Sequence, residues 1–93
     1  MDALDELRRR IDALDAQLVA LLNQRASCAL EIGRLKEAAR LPVYQPAREA
    51  EVLANVRSHN AGPLDSAAVT RLFERIIDEA RRLERQASEA RTD

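Results

Sequence analysis

Arg25 interrupts a line of apolar residues. Leu4, Leu7, Ile11, Leu14, Leu18 and Leu21 recur in steps of three and four. Arg25 and Cys28 take the next two places, and Ile32 and Leu35 resume the series. Such steps put side chains on one face of an α-helix, the face a helix buries. A guanidinium in that seam costs free energy unless an anion meets it. Lys36 follows Arg25 by eleven residues, close to whole turns, so the two point the same way. Two cations on one apolar face fit a dianion, or a substrate with two acidic ends. The alternative is that Lys36 extends to solvent while Arg25 pairs with a glutamate of a neighbouring helix. Spacing alone leaves both open.

Four more charges lie where chemistry is possible. Glu49 opens an apolar face continued by Val52, Leu53 and Val56, and Arg48 beside it can reach the same space. An acidic residue in a first turn also stabilises a helix dipole, which explains Glu49 without a ligand. Glu84 follows Phe73, Ile77 and Ala80 by eleven, seven and four residues, at the edge of an apolar stripe. A carboxyl there has its pKa raised, and when protonated it donates a hydrogen bond. A surface glutamate paired with Arg81 or Arg85 is the plainer alternative. Arg8 flanks the first seam but stands roughly 25 Å from Arg25 along one helix, beyond the reach of one small ligand. An antiparallel partner helix would bring a second chain's Arg8 alongside; otherwise it is a solvated member of the run Arg8, Arg9, Arg10.

Other chemistries leave no trace. One cysteine and one histidine, far apart in sequence, give no metal-ligand spacing, and there is no Gly-rich phosphate loop or nucleophile–base motif. No metal and no cofactor are expected. Cys28 reads as a small core residue, and His59 as a loop residue at a helix end.

The elements that must position these charges are helical. Two Gly, three Pro and an aromatic content of 2% favour helix over sheet. Three helices are expected. The first runs from about Asp2 to Ala39, roughly 55 Å long, more than one small domain needs. Gly33 inside it points to close helix packing. Pro42 and Pro46 mark a break over Arg40–Pro46, since each restricts the residue before it to extended backbone. Pro46 then suits the first turn of a second helix, ending near Ser58. Asn60, Gly62 and Pro63 mark a second break. Asp65 or Ser66 caps a third helix with the stripe Val69, Leu72, Phe73, Ile76, Ala80, Leu83, Ala87. Residues 88–93 are expected to fray, and the whole of 1–93 to form one domain.

So small a chain buries a modest core, which makes oligomerisation the expected remedy. The net charge of -1 does not fit a nucleic-acid binder. No apolar run approaches the roughly 20 residues of a membrane span. A single cysteine and a charged N-terminus from Asp2 onward fit a cytoplasmic protein with no secretory leader.

Four stretches together carry a resemblance: LRRRIDALDAQLVALLNQR (7–25), EIGRLK (31–36), PVYQPARE (42–49) and RLFERIIDEARRLE (71–84). In this order and spacing the chain resembles the all-helical class of chorismate mutases over nearly its whole length. The resemblance implies an all-α, three-helix chain forming an intertwined helical homodimer whose long first helix spans both subunits. It implies the Claisen rearrangement of chorismate to prephenate, on the route to phenylalanine and tyrosine.

By the same resemblance Arg8 serves the opposite subunit's site, where it meets one substrate carboxylate, and Arg25 grips the other. Lys36 matches a lysine that contacts a carboxylate and the ether oxygen. Arg48 and Glu49 match an Arg-Glu pair whose glutamate takes the ring hydroxyl. Glu84 falls where the family has Gln or Glu bonded to the ether oxygen. Gln45 departs from a common Asp beside the ring hydroxyl. Ala80 departs from a Ser found in some members, which removes one hydrogen bond to a carboxylate.

Chorismate carries two carboxylates, which fits two arginines and a lysine on apolar faces. The rearrangement needs no nucleophile and no proton transfer, which fits their absence. Two alternatives stand beside the mutase. An isochorismate-pyruvate lyase would use the same scaffold, although the Arg40–Pro46 break, without extra glycine, leans toward the mutase. A non-catalytic helical dimerisation or regulatory module would not need the matches at Arg8, Arg25, Lys36, Arg48 and Glu49.

Overall fold

The computed structural model describes residues 2–42 and 44–91. Helix α1 spans Ala3–Ala38, α2 spans Pro46–Ser58 and α3 spans Ser66–Arg91, and there is no strand among the described residues. Asp2 caps α1 by accepting a 2.8 Å hydrogen bond from the Asp5 amide, with Asp5 and Glu6 in the first turn and Lys36 in the last, as the helix dipole favours. Pro46 opens α2, as its fixed φ and missing N–H allow. His59 caps the other end of α2. Asp65 caps α3, its Oδ1 accepting a 2.7 Å bond from the Ala68 amide.

The end of α1 is set by Arg40, whose φ is 58°. The Arg40 amide donates to Glu37 O at 3.1 Å and the Leu41 amide to Lys36 O at 2.8 Å. This pair of bonds around one left-handed residue is the Schellman closure of a helix, a place usually given to glycine. Pro42, two residues on, prevents the helix from resuming.

Helix α3 packs against α1 on one side and α2 on the other, while α1 and α2 do not pack on each other. The result is a plank of 56 × 28 × 14 Å, hardly thicker than one helix. Its radius of gyration is 16.7 Å, against about 12 Å for a compact chain of this length. The buried interior is correspondingly small, among the described residues only Ile77 on α3 and Gly33 on α1. The stripe read from the sequence is largely open: Leu7, Ile11, Leu14 and Leu18 are each more than half exposed. The chain exposes 7368 Å², where a folded monomer of this mass exposes about 5,400 Å². The excess of roughly 2,000 Å² is the size of a substantial protein interface.

Two expectations need correction. Ser88 to Arg91 were expected to fray, yet α3 continues to Arg91. The cause is Glu37 on α1: its Oε2 accepts from Arg91 Nε at 3.0 Å and also from Nη2, and Ser88 Oγ donates to Oε1 at 3.4 Å. Thr92 and Asp93, the rest of that tail, lie outside the described residues. Cys28 was expected in the core, and it is exposed in this chain. Its neighbours on the seam face are the open ones.

Candidate active site

One cleft, of about 410 Å³, gathers nearly every charge singled out above. Helix α1 contributes Arg25, Ala29, Ile32 and Lys36, one every turn along a single face. Cys28 also opens onto it. The α1–α2 link supplies Gln45, and α2 supplies Arg48, Glu49 and Val52. Helix α3 closes the floor with Ile77, Ala80, Arg81 and Glu84. The α1–α3 contact thus brings Glu84 to Lys36, and the α2–α3 contact brings Glu49 to Arg81. Arg25 also lines a second, more apolar cleft of about 510 Å³ along α1 and α3, beside Leu22, Ile76 and Leu83.

Arg25 is half-buried and makes no hydrogen bond or ion pair with the described residues. Among the described residues no glutamate of α2 or α3 pairs with it. Arg48 is likewise without an ion pair among the described residues. A guanidinium held in a cleft with no protein anion is the feature that an anionic ligand would complete.

Glu84 is the least ordinary group in the cleft. Its Oε2 is buried with no hydrogen-bond partner. Its side chain lies on the bare backbone of Gly33, where a β-carbon would come within 3.3 Å of Cγ. Gly33 is therefore a packing glycine, as its place in the helix implied. Burial raises the Glu84 pKa above the usual carboxylate value, and the nearby Lys36 charge opposes that rise without cancelling it. The plainer expectation, a surface glutamate paired with Arg81 or Arg85, does not hold.

Arg81 was missed by the sequence reading, except as that possible partner. Its Nη1 stands 3.5 Å from Glu49 Oε2, its Nη2 bonds Asp78, and its guanidinium sits 5.2 Å from the centre of the Tyr44 ring. The available signal was its spacing, four residues after Ile77 and three before Glu84. Arg8 is not in the cleft. It is exposed and stands 4.0 Å from Asp5. Among the described residues no cluster of His, Cys, Asp and Glu could hold a metal, and no helix is long and apolar enough to cross a membrane.

The chain is 43% identical, over 88 residues, to a bifunctional chorismate mutase/prephenate dehydratase of Pseudomonas aeruginosa, covering 89% of this chain and 24% of that one. It thus spans about a quarter of that relative's length. It is 40% identical over 84 residues to a 4-amino-4-deoxychorismate mutase of Streptomyces pristinaespiralis, covering 89% of this chain and 65% of the relative. The crystal structure of a Helicobacter pylori chorismate mutase in complex with prephenate superposes with a TM-score of 0.85 at 31% identity, covering 92% of this chain and 93% of that one. The profile of the family described as chorismate mutase type II matches residues 7–85, and the chain belongs to that family.

Proposed function

We propose that this chain is a chorismate mutase, an isomerase that converts chorismate to prephenate in the making of phenylalanine and tyrosine. The observation that carries the reading is the convergence of Arg25, Lys36 and Arg48 with a buried, partnerless Glu84 oxygen on one cleft. Arg25 and Arg48, cations that meet no anion among the described residues, suit a substrate with two carboxylates. A buried carboxyl that tends to keep its proton suits an oxygen on which negative charge grows. The rearrangement breaks the ether C–O bond as a C–C bond forms, with no proton transfer and no covalent intermediate. Catalysis then consists of holding the compact diaxial conformer and stabilising the ether oxygen. We assign the first task to Arg25 and Arg48 with Arg8 of a second subunit, and the second to Lys36 and Glu84. Glu49 receives the ring hydroxyl, with Gln45 beside it. Ala80 provides floor without a hydrogen bond.

We further read the chain as one domain that works as an intertwined homodimer. Support comes from the apolar seam left open on α1, the roughly 2,000 Å² of surplus surface, and the position of Arg8 away from its own cleft. Burying the exposed half of Leu7, Ile11, Leu14 and Leu18 against a partner would stabilise by about 1 kcal/mol for each side chain. An exposed free thiol at Cys28 fits the reducing cytoplasm. Metal and cofactor have no part in the reaction as we read it.

The substrate named for the Streptomyces relative carries an amino group where chorismate has its ring hydroxyl. The two compounds share the carboxylates and the ether. The test is direct: purified protein is incubated with chorismate and, separately, with isochorismate, and products are identified by chromatography. Prephenate from chorismate supports the mutase. Pyruvate release from isochorismate alone would make the chain a lyase, and no turnover of either would leave a non-catalytic module.

A further inference from the structure

At its α2 end the cleft contains a cation that chorismate chemistry does not require. Arg81 Nη1 stands 3.5 Å from Glu49 Oε2, and the two side chains are only 29% and 26% exposed. Asp78, one turn back on α3, bonds Nη2. The Tyr44 ring covers the guanidinium at 5.2 Å. Three elements therefore meet at one guanidinium: α2 through Glu49, α3 through Asp78 and the α1–α2 link through Tyr44. Among the described lining residues, four are cationic, and Glu49 and Glu84 are the two carboxylates. Gln45, also at this end, is neutral.

We propose that Arg81 is a specificity-determining residue that selects a neutral hydroxyl over an ammonium group at the ring substituent of the substrate. The inference rests on the chorismate mutase reading, in which Glu49 receives that hydroxyl. A carboxylate has about four lone-pair sites, so Glu49 can hold Arg81 and still accept a hydroxyl proton. An ammonium brought to the same carboxylate meets a second cation at near-contact distance, and like charges placed together oppose binding. Asp78 and Tyr44 also engage the Arg81 guanidinium, which keeps its charge at this end of the cleft. An aliphatic amine is protonated at neutral pH. The amino analogue of chorismate is thus penalised by a charge that the hydroxyl compound does not feel.

The test compares kcat/KM for chorismate and for 4-amino-4-deoxychorismate in wild type, Arg81→Leu and Arg81→Lys. Wild type should prefer chorismate. Arg81→Leu should shrink that preference about tenfold, chiefly by a gain on the amino compound, the scale expected for removing one partly covered charge. Arg81→Lys keeps the charge while losing the planar contact with Tyr44, so the preference for chorismate should persist in direction. A structural role alone would lower both substrates together and leave the ratio unchanged. Where Arg81→Leu loses its helical circular dichroism, Arg81→Gln takes its place, with the same shift in ratio expected. An active protein whose ratio is unmoved by these changes, or a wild type that prefers the amino compound, overturns the assignment of Arg81 alone. A wild type that turns over neither compound overturns the mutase reading and this assignment with it.

Discussion

Glu84 of α3 lies directly on the backbone of Gly33 of α1: a β-carbon at position 33 would stand 3.3 Å from Glu84 Cγ and 3.4 Å from Oε2. The absent side chain is what lets a carboxyl enter the helix interface at all. It also sets how far Glu84 reaches toward Lys36 and the cleft.

Gly33→Ala should therefore separate stability from activity. Alanine is better than glycine inside a helix by about 1 kcal/mol, and Glu84, a flexible side chain, can give way by a few tenths of an ångström. The thermal midpoint should hold or rise at fixed protein concentration. The carboxyl, however, is displaced from the position that faces the ether oxygen, and kcat/KM for chorismate should fall about tenfold. Full activity in a folded Gly33→Ala variant would show that the placement of Glu84 tolerates the shift and is not set by this glycine.

The site of Arg8 leads to a second expectation. Within one chain Arg8 and Arg25 are roughly 25 Å apart along α1, so one ligand cannot touch both. Arg8→Ala and Arg25→Ala homodimers should each be nearly inactive. A mixed dimer has one site that lost both arginines and one that kept both. Equal mixing with free exchange should restore about a quarter of wild-type activity, since half the dimers are mixed and each has one intact site. Exchange is followed by native mass spectrometry. Verified exchange without recovery would mean that each site is built from a single chain.

Most of the architecture was legible because its signals are local. Pro46 at the start of α2, and Asn60, Gly62 and Pro63 after it, bounded that helix at the residues observed, and Asp65 capped α3 as its type suggested. The cleft residues on α1 were legible because Arg25, Ile32 and Lys36 repeat with the helical turn. What escaped depends on partners distant in sequence. Arg81 looks like one more surface arginine beside Arg82 until α2 brings Glu49 and the link brings Tyr44. The last turn of α3 looks frayed until Glu37, 54 residues before Arg91, holds it. Cys28 reads as core because its face is apolar, yet the thiol is exposed in this chain.

Arg40 offers a test of the α1 end. A non-glycine residue at φ 58° carries a Cβ against the following carbonyl, which costs roughly 1–2 kcal/mol. Arg40→Gly removes that cost but loosens the unfolded chain, so the net gain should be about 0.5–1 kcal/mol. Urea unfolding at one protomer concentration measures it. Arg40→Ala keeps the Cβ and should gain nothing. If the glycine variant is no more stable than the alanine variant, the left-handed closure is not strained.

Glu84 gives the pH dependence its sign. Burial raises its pKa above the ordinary carboxylate value, and Lys36 pulls back against that rise. Only the protonated carboxyl donates to the ether oxygen; the carboxylate repels the charge developing there. Activity is then full below the folded pKa and lost as pH rises through it. Stability has the same sign. The folded state holds this proton more tightly than the unfolded chain, so the group's contribution is present at low pH and is lost between the ordinary and the raised value. Glu84→Gln donates at every pH, so it should keep activity and flatten the alkaline limb. Glu84→Ala should be slow throughout. The measurement is kcat/KM for chorismate from about pH 5 to 9, the range over which a buried carboxyl can titrate. Superimposable profiles for wild type and Glu84→Gln would remove Glu84 as the ether-oxygen donor and leave that role to Lys36 alone.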